Sequence, residues 1–238
     1  MVVLPVLGKS QPYEVRPSKI IALGLNYHSH IAESGSVKVS GFTEEVPQEP
    51  LLFPKTPNVL AGPGEPIVIP AFLLDYGFAD LRTDYEAELA VVIGKKCKNI
   101  KAGEAFDYIF GYTCMNDVSQ RNIQSGDRSG WFRGKSLDTF GPIGPQIAPR
   151  EAIPDPNSLR IQCRLNGKTV QEASTAQMIF RIDYLIEFIS KSFTLMPGDI
   201  IATGTPGGVG RIRHGDIVEV EIEKIGILSN PVVEEWLR

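Results

Sequence analysis

One stretch constrains this chain more than any other: Asp84-Tyr85-Glu86-Ala87-Glu88-Leu89-Ala90-Val91-Val92-Ile93-Gly94. It reads as a strand passing from a charged start into a continuous apolar run. Successive side chains of a strand point to opposite faces, so Glu86 and Glu88 project on the same side. Two carboxylates held that close repel each other, and a fold keeps them where a cation bridges the pair or one member takes up a proton. Further along, Gly111-Tyr112-Thr113-Cys114-Met115-Asn116-Asp117 is a second β-type run that ends on a carboxylate. Three oxygen ligands with no nearby His or Cys suit Mg²⁺, Mn²⁺ or Ca²⁺ better than zinc. The competing reading is a Glu-x-Glu on a solvated sheet face, which needs no metal.

The 238 residues allow one large domain or two small ones, and 42% hydrophobic with 22% charged residues is ordinary for a globular chain with a sizeable core. A net charge of −4 without a local Lys/Arg cluster gives no support to a nucleic-acid partner. No apolar run approaches the roughly 20 residues of a membrane helix. Residues 1–12 lack the basic head and apolar core of a signal peptide. Cys97, Cys114 and Cys163 are scattered and form no CxxC pair, which points to a reducing cytoplasm.

Gly and Pro punctuate many short apolar segments, and strands are expected at 19–25, 67–69, 88–93, 110–116, 158–165, 199–203 and 217–222. Asn166-Gly167 marks a tight hairpin. Val218, Val220 and Ile222 alternate with Glu219, Glu221 and Glu223, the pattern of a half-exposed strand. Residues 176–192 carry Met178, Ile179, Ile182, Leu185, Ile186 and Ile189 as a helical stripe. Shorter helices are expected at 103–108 and 118–124. The pattern is that of an α+β, mostly β domain with mixed or antiparallel sheet, not a βαβ repeat. The polar segment 28–49, with Gly35, Gly41 and Pro47, reads as a long loop carrying a short helix, a pattern typical of lids.

Several constellations carry chemistry. In Asn26-Tyr27-His28-Ser29-His30-Ile31-Ala32-Glu33, His30 and Glu33 lie one helical turn apart. A carboxylate fixes the tautomer and raises the basicity of a histidine general base. A surface His beside a surface Glu is the bland alternative; His28 has no carboxylate at that spacing, and His214 precedes a Gly-Asp turn. Lys135, in Trp131-Phe132-Arg133-Gly134-Lys135-Ser136, is placed to hold an anionic substrate or else to snorkel from a loop. Gly204-Thr205-Pro206-Gly207-Gly208-Val209-Gly210 reads equally as an anion-binding nest of backbone N–H groups and as a sharp turn demanding positive φ. It is neither a P-loop nor a dinucleotide fingerprint.

Taken in order, these motifs resemble the fumarylacetoacetate hydrolase family. The resemblance runs through Gly24-Leu25-Asn26-Tyr27, Phe53-Pro54-Lys55, Gly62-Pro63-Gly64, Glu86/Glu88, Asn116-Asp117-Val118-Ser119, Lys135-Ser136-Leu137-Asp138-Thr139-Phe140, Pro197-Gly198-Asp199 and Gly204–Gly210. It implies a mixed β-sandwich roll of the family's C-terminal domain type, with short peripheral helices and usually a homodimer. Residues 19–238 would form the catalytic domain behind a short N-terminal segment, 1–18. It implies Mg²⁺ or Mn²⁺ on Glu86, Glu88 and Asp117, with Ca²⁺ as a substitute, and a catalytic set of His30, Glu33 and Lys135 under a lid over about 28–49. Asn26, Arg121, Gln124, Gly204 and Thr205 would bind substrate. Asn122 stands where the family often has an aspartate, and loss of that charge is expected to loosen Arg121 or Lys135. With no counterpart of the larger hydrolases' N-terminal domain, the chain resembles the compact acylpyruvase and diene-dioate isomerase branch.

The implied substrate is a small anionic 2-oxo or 2-enol carboxylate. His30, polarised by Glu33, would deprotonate a water that attacks the distal carbonyl, releasing pyruvate as its enolate. Without that water the same site would decarboxylate oxaloacetate. With a proton shuttle alone it would isomerise 2-hydroxyhepta-2,4-diene-1,7-dioate in aromatic catabolism. A silent metal-containing binding protein is the alternative from another class, and the His30/Glu33 pair speaks against it.

Overall fold

The computed structural model describes residues 1–37, 45–126, 128 and 131–237. Sheet is the dominant regular structure, with fewer and shorter helices. A seven-stranded mixed sheet runs in the order Leu51–Lys55, Ile20–Gly24, Ile200–Ala202, Ala87–Ile93, Ile109–Asn116, Gly141–Pro149, Leu60–Ala61. A five-stranded sheet runs Lys168–Ser174, Arg160–Leu165, Ile217–Ile222, Gly226–Glu234, Ile67–Ile69. Among the described residues, four α-helices decorate them: α1 (His28–Val37), α2 (Arg121–Gly126), α3 (Phe132–Lys135) and α4 (Ile182–Ser192).

The apolar run after Glu88 is continuous because the central strand is covered on both faces. Leu89, Val91 and Ile93 pack with Ile161, Cys163, Val218, Val220 and Ile222 of the second sheet and with Ile182, Leu185, Ile186 and Ile189 of α4. Ala90 and Val92 face the other way, toward Ile20, Ala22, Met115, Ile143 and Ile200, capped by Val2 and Leu4 of an N-terminal ribbon (Val2–Leu4 with Tyr13–Val15). Every position of Ala87–Ile93 is buried. The sheet is thus the filling of the molecule, with Leu51–Lys55 at one edge and the two-residue Leu60–Ala61 strand at the other; Pro54, in the first, has no N–H to give a ladder.

The elements differ from the sequence expectations in instructive ways. The stretch read as one strand from Asp84 divides at Glu86: Thr83–Tyr85 pairs with Ser119–Gln120 and Gly210–Arg211 in a small separate sheet, and the long ladder begins at Ala87. The helix expected over 176–192 starts only at Ile182. Met178 is extended and bridges Tyr27, and Arg181 caps the helix with extended backbone (φ −72°, ψ 158°), so the earlier apolar residues are packed from a 3₁₀ turn and a loop. Residues 103–108 belong to a 3₁₀ turn, Ala102–Tyr108, and the helix expected at 118–124 is Arg121–Gly126 after a two-residue strand. The Asn166-Gly167 hairpin is present with both residues at positive φ (52° and 78°), as a type I′ turn requires. Of the segment expected to be a lid, 28–37 is α1, while residues 38–44 lie outside the described residues. No described helix is long and apolar enough to cross a membrane.

Candidate active site

The acidic cluster is assembled by main-chain pairing. Ala87 lies opposite Asn116 and Glu88 opposite Met115. Just before this ladder, Glu86 N–H donates to Asn116 Oδ1 (2.9 Å) and Asp117 N–H donates to the Glu86 carbonyl (2.9 Å). Ligand oxygens of Glu86, Glu88 and Asp117 consequently lie within 4.8 Å of one another, and all three residues are buried. Cations crowd around them. Lys135 Nζ donates to Glu86 Oε2 (2.6 Å) and Asp117 Oδ2 (2.7 Å). Arg121 donates from Nε to Asp84 Oδ2 (2.9 Å), from NH1 to Gln124 Oε1 (2.9 Å), and from NH2 to Glu86 Oε1.

This arrangement pulls the two glutamates apart electrostatically. Burial alone would raise Glu86, but Lys135, Arg121 and His30 outweigh it and hold its carboxyl far below the usual range. Burial pushes Glu88 well above that range, and the neighbouring Asp117 and Glu86 push the same way; Lys135 and the Gly204 N–H only partly oppose them. Glu88 Oε1 is buried without a hydrogen-bond partner among the described residues, and so is the Tyr27 hydroxyl, whose pKa burial and Glu88 raise. A buried trio of carboxylates with one oxygen to spare and no His or Cys in the set fits a hard divalent ion.

Helix α1 brings His30 into this centre. His30 is buried, His28 on the same turn is exposed, and His214 sits on a distant loop where its Nδ1 accepts from the Glu234 N–H. Burial lowers the His30 pKa, as do Arg121 and Lys135, while Glu86 and Glu33 pull it back up; the net direction is down, toward a neutral imidazole. Glu33 faces the glycine loop, and its Oε2 accepts from Gly208 N–H (2.7 Å); Ser29 Oγ accepts from Gly207 N–H (3.0 Å).

The glycine loop therefore spends its amides on the protein's own side chains. Gly204 N–H donates to Glu88 Oε2 (2.9 Å), so Gly204 positions a triad carboxylate through the atom that would have met substrate. The need for glycine is also real. Gly204 and Gly208 both have φ +94°, and a Cβ on Gly208 would lie 2.1 Å from the Val170 carbonyl oxygen. The two readings of this loop are both satisfied, with internal carboxylates and a hydroxyl as the acceptors.

The remaining residues expected to bind substrate divide. Gln124 is buried beside Arg121, and its Nε2 has no partner among the described residues, which leaves it a donor for a ligand. Thr205 is buried next to Gly204. Asn26 is a brace instead: Nδ2 donates to the Thr203 (2.8 Å) and Phe180 (3.1 Å) carbonyls, and Oδ1 accepts from Phe180 N–H (2.8 Å). Asn122 does not loosen Arg121 or Lys135. It points away, accepting from Arg82 N–H (2.7 Å) and donating to the Asp80 carbonyl (2.8 Å), while both cations are held by carboxylates.

Sequence reasoning passed over three residues of this site. Lys55, quoted above only within a motif, is fully buried with Nζ 2.5 Å from Asp117 Oδ1 and bonded to the Lys135 carbonyl. Phe53, two residues earlier on the same strand, lays its ring 4.8 Å from Lys135 Nζ. The third is Gln171, whose side chain meets both the acidic strand and the glycine loop. The alternation that puts Phe53 and Lys55 on one face is readable in the sequence, but nothing local marks that face as the site.

Fold and site together define a mixed-sheet protein with a buried carboxylate-only trio suited to a divalent ion. Residues 19–233 match the family described as fumarylacetoacetate (FAA) hydrolase C-terminal, and the chain belongs to that family. An uncharacterized protein of Pyrococcus abyssi is 48% identical over 94% of this chain and 93% of its own length. The mitochondrial oxaloacetate tautomerase Fahd2a of Rattus norvegicus is 40% identical over 97% of this chain and 72% of its own. Among solved structures, fumarylpyruvate hydrolase from Pseudomonas aeruginosa, in complex with Mn²⁺ and pyruvate, superposes with a TM-score of 0.84 at 28% identity, covering 98% of this chain and 96% of that one. Members of the family similar to this chain include hydrolases, isomerases and tautomerases.

Proposed function

We propose that this protein is a Mg²⁺- or Mn²⁺-dependent hydrolase that cleaves a C–C bond in acylpyruvate-type 2-oxo (2-enol) carboxylates. The observation that carries the reading is a buried, neutral-leaning His30 facing the cation-ringed acidic triad, with Glu33 one turn along the same helix. A divalent ion on Glu86, Glu88 and Asp117 supplies Lewis-acid stabilisation of charge developing on a substrate oxygen, worth several kcal/mol. Gln124 Nε2 and the cations Arg121 and Lys135 hold the substrate carboxylate. His30 takes a proton from the attacking water as the water oxygen bonds to the distal carbonyl carbon. The C–C bond then breaks with its electron pair moving to C3 of the pyruvyl half, and the imidazolium returns a proton to that carbon. A cytoplasmic homodimer completes the proposal; the Mn²⁺ and pyruvate held by the Pseudomonas hydrolase support its metal and its product.

A second reading has its own support: relatives named oxaloacetate tautomerase reach 44% identity, against 28% and 33% for a fumarylpyruvate and a maleylpyruvate hydrolase solved with pyruvate. In that reaction His30 carries one proton between C3 and the C2 oxygen, and no water enters. The deciding experiment is metal-dependent turnover of a panel of acylpyruvates and of enol-oxaloacetate, following pyruvate release and enol absorbance together. Pyruvate from acylpyruvates supports hydrolysis. Enol decay without pyruvate replaces it with tautomerisation, and inertness toward every compound overturns both.

A further inference from the structure

The side chain of Gln171, 1% exposed on the Lys168–Ser174 strand, is held so that its two ends cannot be exchanged. Its Oε1 accepts from Ala87 N–H (3.0 Å), the residue between Glu86 and Glu88, and a backbone N–H can only donate. Its Nε2 donates to the Pro206 carbonyl (2.8 Å), which can only accept. The remaining Nε2 proton goes to Thr205 Oγ1 at 2.9 Å. Thr205 is therefore an acceptor toward Gln171, and its own proton must go elsewhere. Thr205 is 3% exposed, and its hydroxyl donates to no described residue. Its neighbour Gly204 touches Glu88, while Gly207 and Gly208 touch Ser29 and Glu33 of α1, so Thr205 stands between the triad and the helix that carries His30.

We infer that Gln171 is a positioning residue that fixes Thr205 as an obligate hydrogen-bond donor, so that this wall of the site accepts a carboxylate or carbonyl oxygen and disfavours a ligand group that can only donate. The inference rests on the proposed function, which places a 2-oxo carboxylate here. It adds a polarity to the pocket, set from a strand of the other sheet through a chain of directed hydrogen bonds.

The test uses the full chain loaded with Mn²⁺ and the probe oxalate, a dianion with only acceptor atoms, titrated calorimetrically. Mn²⁺ affinity and the thermal transition of each variant report on folding. Thr205→Ser, which keeps the donor, is expected to bind oxalate as the wild type does, and Thr205→Val to lose about tenfold or more. In Gln171→Glu the second carboxylate oxygen replaces the Nε2 donor and draws the Thr205 proton to itself, with a comparable loss. The double variant Gln171→Glu/Thr205→Val is expected to lose no more than Thr205→Val alone, because both changes remove the same donated proton. Full oxalate affinity in Thr205→Val, or in a Gln171→Glu that still binds Mn²⁺, overturns the inference, as do additive losses. Should Gln171→Glu not fold, Gln171→Met removes the same directing donor and is expected to weaken oxalate with Mn²⁺ affinity kept; unchanged oxalate affinity there overturns it equally. Wild-type protein that binds Mn²⁺ but no oxalate defeats the proposed function itself, and this inference with it.

Discussion

Glu86 and Glu88 are chemically the same residue, two positions apart, and the fold drives their proton affinities in opposite directions. Glu88, raised by burial and by its acidic neighbours, holds a proton in the metal-free protein at pH values where a free glutamate is ionised. A carboxyl raised on folding stabilises the protein below its unfolded value, near 4.5, and that contribution is lost as pH rises through the folded value. A divalent ion must displace this proton. Titrating Mn²⁺ into metal-free protein in two buffers of different ionisation enthalpy is therefore expected to show proton release, which Glu88→Gln abolishes. Metal at a hundredfold excess over its dissociation constant raises stability by about 2.7 kcal/mol, readable as a thermal shift that the variant lacks. His30→Ala is expected to lower turnover by about 10²–10⁴-fold while leaving metal affinity in place. Because the pKa of His30 is depressed, the acid limb of kcat/KM falls below the ordinary histidine value of 6.5. The triad was legible in the sequence because like charges at i and i+2 of a strand demand an explanation. Gln171 was not: on a strand reading Lys-Thr-Val-Gln-Glu-Ala-Ser, nothing distinguishes the one polar side chain that turns inward.

Among the elements, the Leu51–Lys55 strand does more than its length suggests. Lys55 Nζ sits beneath Asp117 and ties the end of α3 to it through the Lys135 carbonyl. Burial lowers the Lys55 pKa, and Asp117 resists that shift. Lys55→Met leaves Asp117 with one cation fewer in a buried setting, and is expected to cost about 3–5 kcal/mol in denaturant unfolding. The strand is short and carries Pro54, and the carboxylate that Lys55 meets, Asp117, lies 62 residues away, so no local pattern announces the role. Helix α4 shows the converse. Its apolar stripe was readable, but the stripe extends upstream into residues that the chain packs without helical backbone, since Arg181 is extended. Periodicity reports which residues are buried; the hydrogen bonds that end a helix are set by neighbours such as Tyr27, which bridges Met178.

At the scale of the molecule, Asp199 joins two separate pieces. It accepts from Ser18 Oγ (2.6 Å), Ser18 N–H (3.0 Å), Lys19 Nζ (2.5 Å) and Met196 N–H (2.8 Å), joining the start of the Ile20–Gly24 strand to the parallel Ile200–Ala202 strand. Burial works against its charge, but Lys19, Ser18 and the Met196 N–H prevail and lower its pKa from 3.8. A depressed carboxyl gives stability above its unfolded value that is lost as pH falls through the folded one, so this contribution begins to fade below about pH 3.8 and is gone only below the depressed value. Asp199→Ala is expected to cost about 3 kcal/mol at pH 7 and progressively less as pH falls below 3.8, followed by urea melts. The order of the large sheet has a further consequence. One of its two edge strands is the one that furnishes Lys55 and Phe53, so an edge of the sheet and a wall of the candidate site share one strand. Rims peel first, and a strand bonded along one side separates at less free energy than the interior needs. On warming, catalysis should then fail as an early, reversible event while circular dichroism still reports an intact sheet. Prior saturation with Mn²⁺, which ties Asp117 and its partners together, should draw the two transitions toward coincidence.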